Sequence, residues 1–200
     1  MPQAETQPMT FALLPTDAPS VPVTLVTTGS WGDVQGGLDP AQRRFAEALG
    51  FKPKAGNLAL LPGPDGGLAG VLFGLGDTEA AAYDRLITGK LPGLLPEGSF
   101  RLENAPNPAE AALAWLMGSY RFGRYRSGNG TKARLAAPAG IDAAEVERIA
   151  AAVALGRDLI NTPANDMGPA EIEAAARSLA ERHGATIAVT AGEALAKDYP

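Results

Sequence analysis

Residues 57–76 read NLALLPGPDGGLAGVLFGLG. Two short apolar runs, 57–61 and 68–73, flank Pro62-Gly63-Pro64-Asp65-Gly66-Gly67. Gly and Pro at that density reverse a chain, so the spacing predicts a β-hairpin. Upstream, residues 21–28 (VPVTLVTT) are rich in β-branched side chains and predict a third strand. Between them, 29–32 reads as a loop and Gly36-Gly37 as a turn. Asp39-Pro40 then reads as an N-cap followed by proline at the first helical position, with Phe45 and Leu49 on one face and Gly50 as the stop.

Beyond the hairpin the alternation continues. Thr78 predicts the cap of a short helix with Ala82/Leu86 and Tyr83/Ile87 at i,i+4 spacing, ended by Gly89. A short strand follows at 99–102. Asn107-Pro108 opens a helix whose apolar stripe is Ala109, Leu113, Leu116/Met117 and Tyr120. Residues 133–137 give a further strand. The pattern then changes. Asp142 and Glu145 read as a capping box for a helix placing Val146, Ile149, Val153, Gly156 and Ile160 on one face. Pro169 starts another helix, with Ile172, Ala176, Leu179 and His183 in register and Gly184 at its end. Ile187 and Val189 alternate as a strand, and 192–197 begin a further element. The chain therefore reads as an α/β domain over 1–137, a mixed sheet with flanking helices, followed by an incomplete α-α-β piece of a second domain over 138–200.

Composition narrows the chemistry. The 200 residues hold 17 Lys+Arg against 22 Asp+Glu, a net charge of −5, and 46% are apolar, enough for a buried core. With no Cys and one His, disulfides, thiolate zinc sites, Cys nucleophiles and multi-histidine metal sites are excluded. The acidic total disfavours non-specific nucleic-acid binding. The first residues, MPQAETQP, lack the basic and apolar regions of a secretory signal, and no run is long enough to span a bilayer. A cytoplasmic protein with no membrane partner is expected. Asn129-Gly130-Thr131 fits the glycosylation pattern but reads as a turn in that compartment.

The candidate chemical residues each have a plain structural reading. Gly74-Leu75-Gly76-Asp77 follows a strand, but Glu79 stands where a dinucleotide site wants a third glycine. His183 sits in a last helical turn, where its charge would favour the helix dipole. Arg121, Arg124, Arg126 and Lys132 form the basic concentration, read as a solvated or interface patch. Asp158, Asp166, Glu171 and Glu173 are the nearest approach to a carboxylate cluster. Glu171 and Glu173, two apart on a helix, do not share a face, and Asp166 reads as a cap. None of Ser20, Ser30, Ser99, Ser119, Ser127 and Ser178 lies in a nucleophile-elbow context.

The most specific segment is 157–169, RDLINTPANDMGP. It resembles the signature that opens the catalytic domain of the leucyl aminopeptidase family, the M17 cytosol aminopeptidases. The helix and strand over 171–190 are similar to that family too, as are Gly74-Leu75-Gly76 and an Ala-rich helix (107–120) running into Tyr120-Arg121-Phe122. The resemblance implies a macro-domain-like N-terminal domain and the beginning of a metallopeptidase catalytic domain. It implies a parent enzyme that removes N-terminal residues, leucine preferred, from peptides, with two divalent ions, manganese or zinc. In the family these ions are held by Lys, Asp and Glu further along the chain, including an Asn-Thr-Asp-Ala-Glu-Gly-Arg segment that does not occur here. No catalytic, cofactor-binding or metal residue is therefore carried over, and this chain is expected to be inert alone. Its implied role is oligomerisation, as part of a hexamer, and control of access. Two rival readings are a nucleotide or ADP-ribose module built at residues 74–77, and a DNA-binding accessory domain using Arg121 to Lys132.

Overall fold

In the computed structural model, strand β1 (Val21–Thr27) lies in the middle of a five-stranded sheet. The structure describes residues 11–125 and 131–199. β2 (Leu58–Pro62) and β3 (Leu68–Gly76) form the expected antiparallel hairpin, with Leu58 opposite Phe73 and Leu60 opposite Val71. Its turn is closed by the Gly63 N–H donating to the Gly67 carbonyl, with Gly66 at φ +79°. β1 runs parallel to β3 on one side and to β4 (Gly98–Glu103) on the other, and β5 (Ala133–Leu135) runs parallel to β4. The order is β2-β3-β1-β4-β5. The mixed α/β class expected from the sequence is thus the class observed.

Side chains alternate across a strand, and here both faces are covered. Val23, Leu25, Val71 and Phe73 enter one core with Phe100 and Trp115, while Val26 and Leu72 enter a second with Ala46, Phe51 and Leu61. The second core is roofed by α1 (Trp31–Gly37) and α2 (Pro40–Ala48). Where the residues predict a loop and a turn, α1 is a helix. Its three glycines are poor helix formers, but Trp31 packs edge-on against Phe51 at 5.1 Å, and Val34 and Leu38 join the same core. Tertiary burial outweighs propensity. α1 ends on the Arg43 guanidinium, which donates to the Gly36 carbonyl at 3.0 Å.

α2 begins where expected: the Asp39 carboxylate accepts from the N–H groups of Ala41 (2.8 Å) and Gln42 (2.9 Å). Asp39→Ala should therefore cost about 1 kcal/mol, seen as a lower urea midpoint with an unchanged slope. Its inward face, however, is not Phe45/Leu49, which are 41% and 55% exposed. Ala46, 1% exposed, is what meets the sheet. A methyl lets the helix approach closely, and the larger side chains are turned outward.

The helix expected from Thr78 to Gly89 does not form. The Asp77 carboxylate takes the Glu79 N–H and that of Asp84 takes the Leu86 N–H, each at 3.0 Å. Such local acceptors compete with helix hydrogen bonds. A 3₁₀ turn over Ile87–Lys90 runs into the single-turn α3 (Leu91–Leu94), sinking Ile87 and Leu91 into the first core. α4 (Pro108–Ser119) starts at Asn107, whose side chain accepts the Glu110 N–H. Leu116 of the predicted stripe is buried, but the deepest residues are Ala112, Ala114 and Trp115, with Ala109, Leu113 and Tyr120 only flanking the core. Thr88 donates its hydroxyl to the Ala111 carbonyl, fastening α4 to the 3₁₀ turn.

α5 (Ala143–Asn161) is capped by Asp142, which accepts from the Glu145 N–H at 3.0 Å. The Glu145 carboxylate pairs with Arg148, which draws its pKa below the ordinary carboxylate value. The buried line is Val146, Ala150 and Ala154 rather than Val146, Ile149, Val153, Gly156 and Ile160. Ile149 and Val153 are half-buried, and Ile160 is 83% exposed. Glu147 also accepts the Leu13 N–H at 2.8 Å, and Leu14 bridges Ala136 in parallel, so residues 13 and 14 extend the sheet beyond β5.

The chain divides into two compact units, Met1–Ala154 and Leu155–Pro200. The second holds the end of α5, α6 (Pro169–Arg182) and α7 (Glu193–Asp198). No residue of α6 or α7 is buried. The strand predicted at Ile187 and Val189 is not formed, because among the described residues no neighbouring strand offers a ladder to it. Residues 1–10 and the Asn129-Gly130 turn lie outside the described residues.

Candidate functional site

The carboxyl ends of β1 and β3 open into a cleft of about 380 Å³. In open α/β sheets this is where ligands bind. Its floor is apolar: Leu25 and Leu75 are each 1% exposed, and Ala111 of α4 closes one side. The rim is polar. Arg85 Nε sits 3.0 Å from one Glu110 oxygen and 3.1 Å from the other. Burial first, then the charges of Glu110 and Asp84, push the Tyr83 phenol above its ordinary pKa.

Gly74 and Gly76 border this region, but as packing residues. The Gly74 N–H donates to the Asn57 carbonyl and the Gly76 N–H to the Pro53 carbonyl, at 2.8 and 2.9 Å. A Cβ on Gly74 would stand 2.2 Å from the Lys54 carbonyl oxygen. The glycines admit residues 53–57 against the strand end, and their N–H groups are spent on that contact. A phosphate cradle needs such groups unspent.

The other sequence candidates are dispersed. His183 is the exposed C-cap of α6, its backbone N–H donating to the Leu179 and Ala180 carbonyls. Arg121 donates to the carbonyls of Gly118 and Tyr120, Arg124 lies over the Tyr125 ring at 5.8 Å, and Lys132 pairs with Glu97 at 2.9 Å. Arg126 lies outside the described residues. Glu171 accepts the Gly168 N–H and Glu173 pairs with Arg177, so the two carboxylates serve different partners, as their spacing requires. The N-cap of α6 is Gly168, not Asp166. In the 157–169 segment, the Thr162 N–H and hydroxyl both donate to the Asp158 carbonyl, at 3.1 and 2.7 Å, and Thr162 is buried at 7% exposure. This threonine, which ends α5, was the informative residue there. Its place directly before Pro163 was the signal, since proline removes the next N–H from the helix.

Among the described residues, no three His, Asp or Glu side chains converge as a metal site would require. The donor set of the described residues does not fit a two-metal centre.

A mixed sheet in the order 2-3-1-4-5, helices on both faces and a glycine-sealed strand end define an α/β domain of one particular build. Residues 21–138 match the family model of the M17 aminopeptidase N-terminal domain, and the chain belongs to that family. The cytosol aminopeptidase of Coxiella burnetii is similar in structure, with a TM-score of 0.82 and 28% identity, over 95% of this chain and 42% of that one. The bottromycin maturation enzyme BotP, solved in complex with Mn, follows with a TM-score of 0.67 and 26% identity, over 89% of this chain and 40% of its own. A probable cytosol aminopeptidase of Streptomyces avermitilis is 29% identical, over 82% of this chain and 38% of its length. The chain therefore spans about two fifths of the length of these relatives. The family inferred from the sequence is borne out, and the chain carries the N-terminal domain of an M17 leucyl/cytosol aminopeptidase.

Proposed function

We propose that this chain is the N-terminal portion of a cytoplasmic, metal-dependent aminopeptidase that removes N-terminal residues from peptides. The single observation that carries the reading is the family match over residues 21–138. The manganese in the BotP structure supports a divalent ion, manganese or zinc, in the parent enzyme. No described helix is long and apolar enough to cross a membrane. In this reading the catalytic domain begins near residue 138 and its metal ligands follow residue 200. The present chain serves hexamer formation and access control and is inactive alone. A two-metal centre needs all its ligands to polarise the peptide carbonyl and generate the attacking hydroxide.

Two proteins test this: the 200-residue chain, and its reading frame extended by the length the relatives possess. With manganese or zinc and leucine p-nitroanilide, the longer protein is expected to turn over, and the shorter one to give no rate above buffer. Activity in the short chain, or none in the long one with either metal, refutes the proposal. Light scattering on the long protein reads the hexamer directly.

A further inference from the structure

The cleft at the carboxyl ends of β1 and β3 is lined by charged groups of both signs together with apolar side chains. In its lining, the exposed Glu79 carboxylate has no hydrogen-bond or ion-pair partner among the described residues, only its backbone N–H being engaged. Also in the lining, the hydrogen bonds of the Arg85 guanidinium run through Nε, to Glu110, and the terminal N–H groups of this 65% exposed side chain donate to no protein acceptor among the described residues. The same cleft is lined by the apolar side chains of Leu25, Leu75 and Ala111 and by Tyr83. We propose that this cleft binds a free α-amino acid with an aliphatic side chain: ammonium on Glu79, carboxylate on the outer edge of Arg85, side chain on the leucine floor.

Other ligand classes fit less well. A phosphate or pyrophosphate would carry its negative charge against the Glu79 and Glu110 carboxylates with Arg85 alone to offset them, and several N–H donors near it are already taken. Gly74 and Gly76 donate to residues 57 and 53, Glu110 to Asn107, and Pro108 at the start of α4 has no N–H. A simple cation would use Glu79 alone and leave the terminal N–H groups of Arg85 unengaged. A ligand carrying both charges engages both groups through charge-assisted hydrogen bonds. The volume, about 380 Å³, is at the small end of ligand cavities, suiting an amino acid rather than a dinucleotide. Nothing in this inference requires the chain, or its parent, to hydrolyse peptides.

The test is a titration of the 200-residue chain with L-leucine, followed by amide chemical shifts, with N-acetyl-leucine and leucinamide as the probes lacking one charge each. Leucine should saturate with a Kd of about 1 mM, moving the amides of residues 75–79 and 109–111, and each single-charge probe should bind roughly tenfold more weakly. Glu79→Gln, at an exposed position that leaves folding unaffected, should reduce leucine to the affinity of N-acetyl-leucine and leave N-acetyl-leucine unchanged. The proposal is overturned if leucine does not saturate, if the shifts map elsewhere, if the three probes bind alike, or if the variant binds leucine as the wild type does. Because no turnover is measured, failure here leaves the peptidase assignment untouched, and the reverse also holds.

Discussion

Gly118→Ala should lower the melting temperature by roughly 10 °C, corresponding to about 3 kcal/mol in a domain of this size. A Cβ at position 118 would stand 1.9 Å from the Gly89 carbonyl oxygen and 2.6 Å from its carbon. The reverse substitution site is equally closed, because a Cβ on Gly89 would lie 2.8 Å from the Ala114 carbonyl oxygen. Both obstacles are backbone, so no rotamer change can relieve them. α4 would have to lift off the 3₁₀ turn, giving up the Thr88 hydrogen bond to Ala111 and opening the core around Trp115 and Ile87. Helix propensity runs the other way, by about 1 kcal/mol in favour of alanine, and is too small to compensate. Gly36→Ala is the internal control: nothing lies within 4 Å of a Cβ there, and α1 should gain a few tenths to about 1 kcal/mol. Calorimetry on the two variants decides the matter. Equal melting temperatures would mean that α4 and the turn are not in backbone contact.

Gly74→Ala is the second large effect, with a loss of about 3 kcal/mol or more. The new methyl would lie 2.2 Å from the Lys54 carbonyl oxygen and 2.8 Å from the Pro53 carbonyl carbon, at a buried position. Residues 53–57 would be forced from the strand end, and the hydrogen bonds of Gly74 to Asn57 and Gly56 would break. The denaturation midpoint in urea reads this directly. The same variant separates packing from ligand binding at these glycines. If Gly74 to Asp77 existed to hold a nucleotide, the variant would keep its stability and lose ADP-ribose binding. An unchanged midpoint would therefore refute the packing role.

What could be read along the chain, and what could not, follows the range of the interactions. Asp39 and Asn107 were legible as caps because a cap is a bond between residues two or three apart. The hairpin was legible because Pro62 to Gly67 reverses the chain locally. The inward faces of α2 and α5 were misread because periodicity favours the largest apolar side chains, whereas Ala46, Ala150 and Ala154 are the residues that face the core. The helix predicted after Thr78 failed because two aspartates bonded their own backbone first. At the cleft, Glu79 was visible only as a mismatch with a glycine pattern, and Arg85 and Tyr83 carried no signal. The pairing of Arg85 with Glu110, and the place of Tyr83 in the same lining as Leu75, depend on separate segments meeting.

By itself the sequence determined the α/β class, the hairpin, the caps, and the family, because these rest on local chemistry and on the strings at 74–76 and 157–169. Only the tertiary structure decided that α1 is a helix, which faces are inward, and that Gly74, Gly89 and Gly118 are contacts rather than hinges or ligand loops. A missing side chain leaves no mark in a sequence beyond the letter G, and its purpose appears only when another stretch of backbone occupies the space a methyl would need.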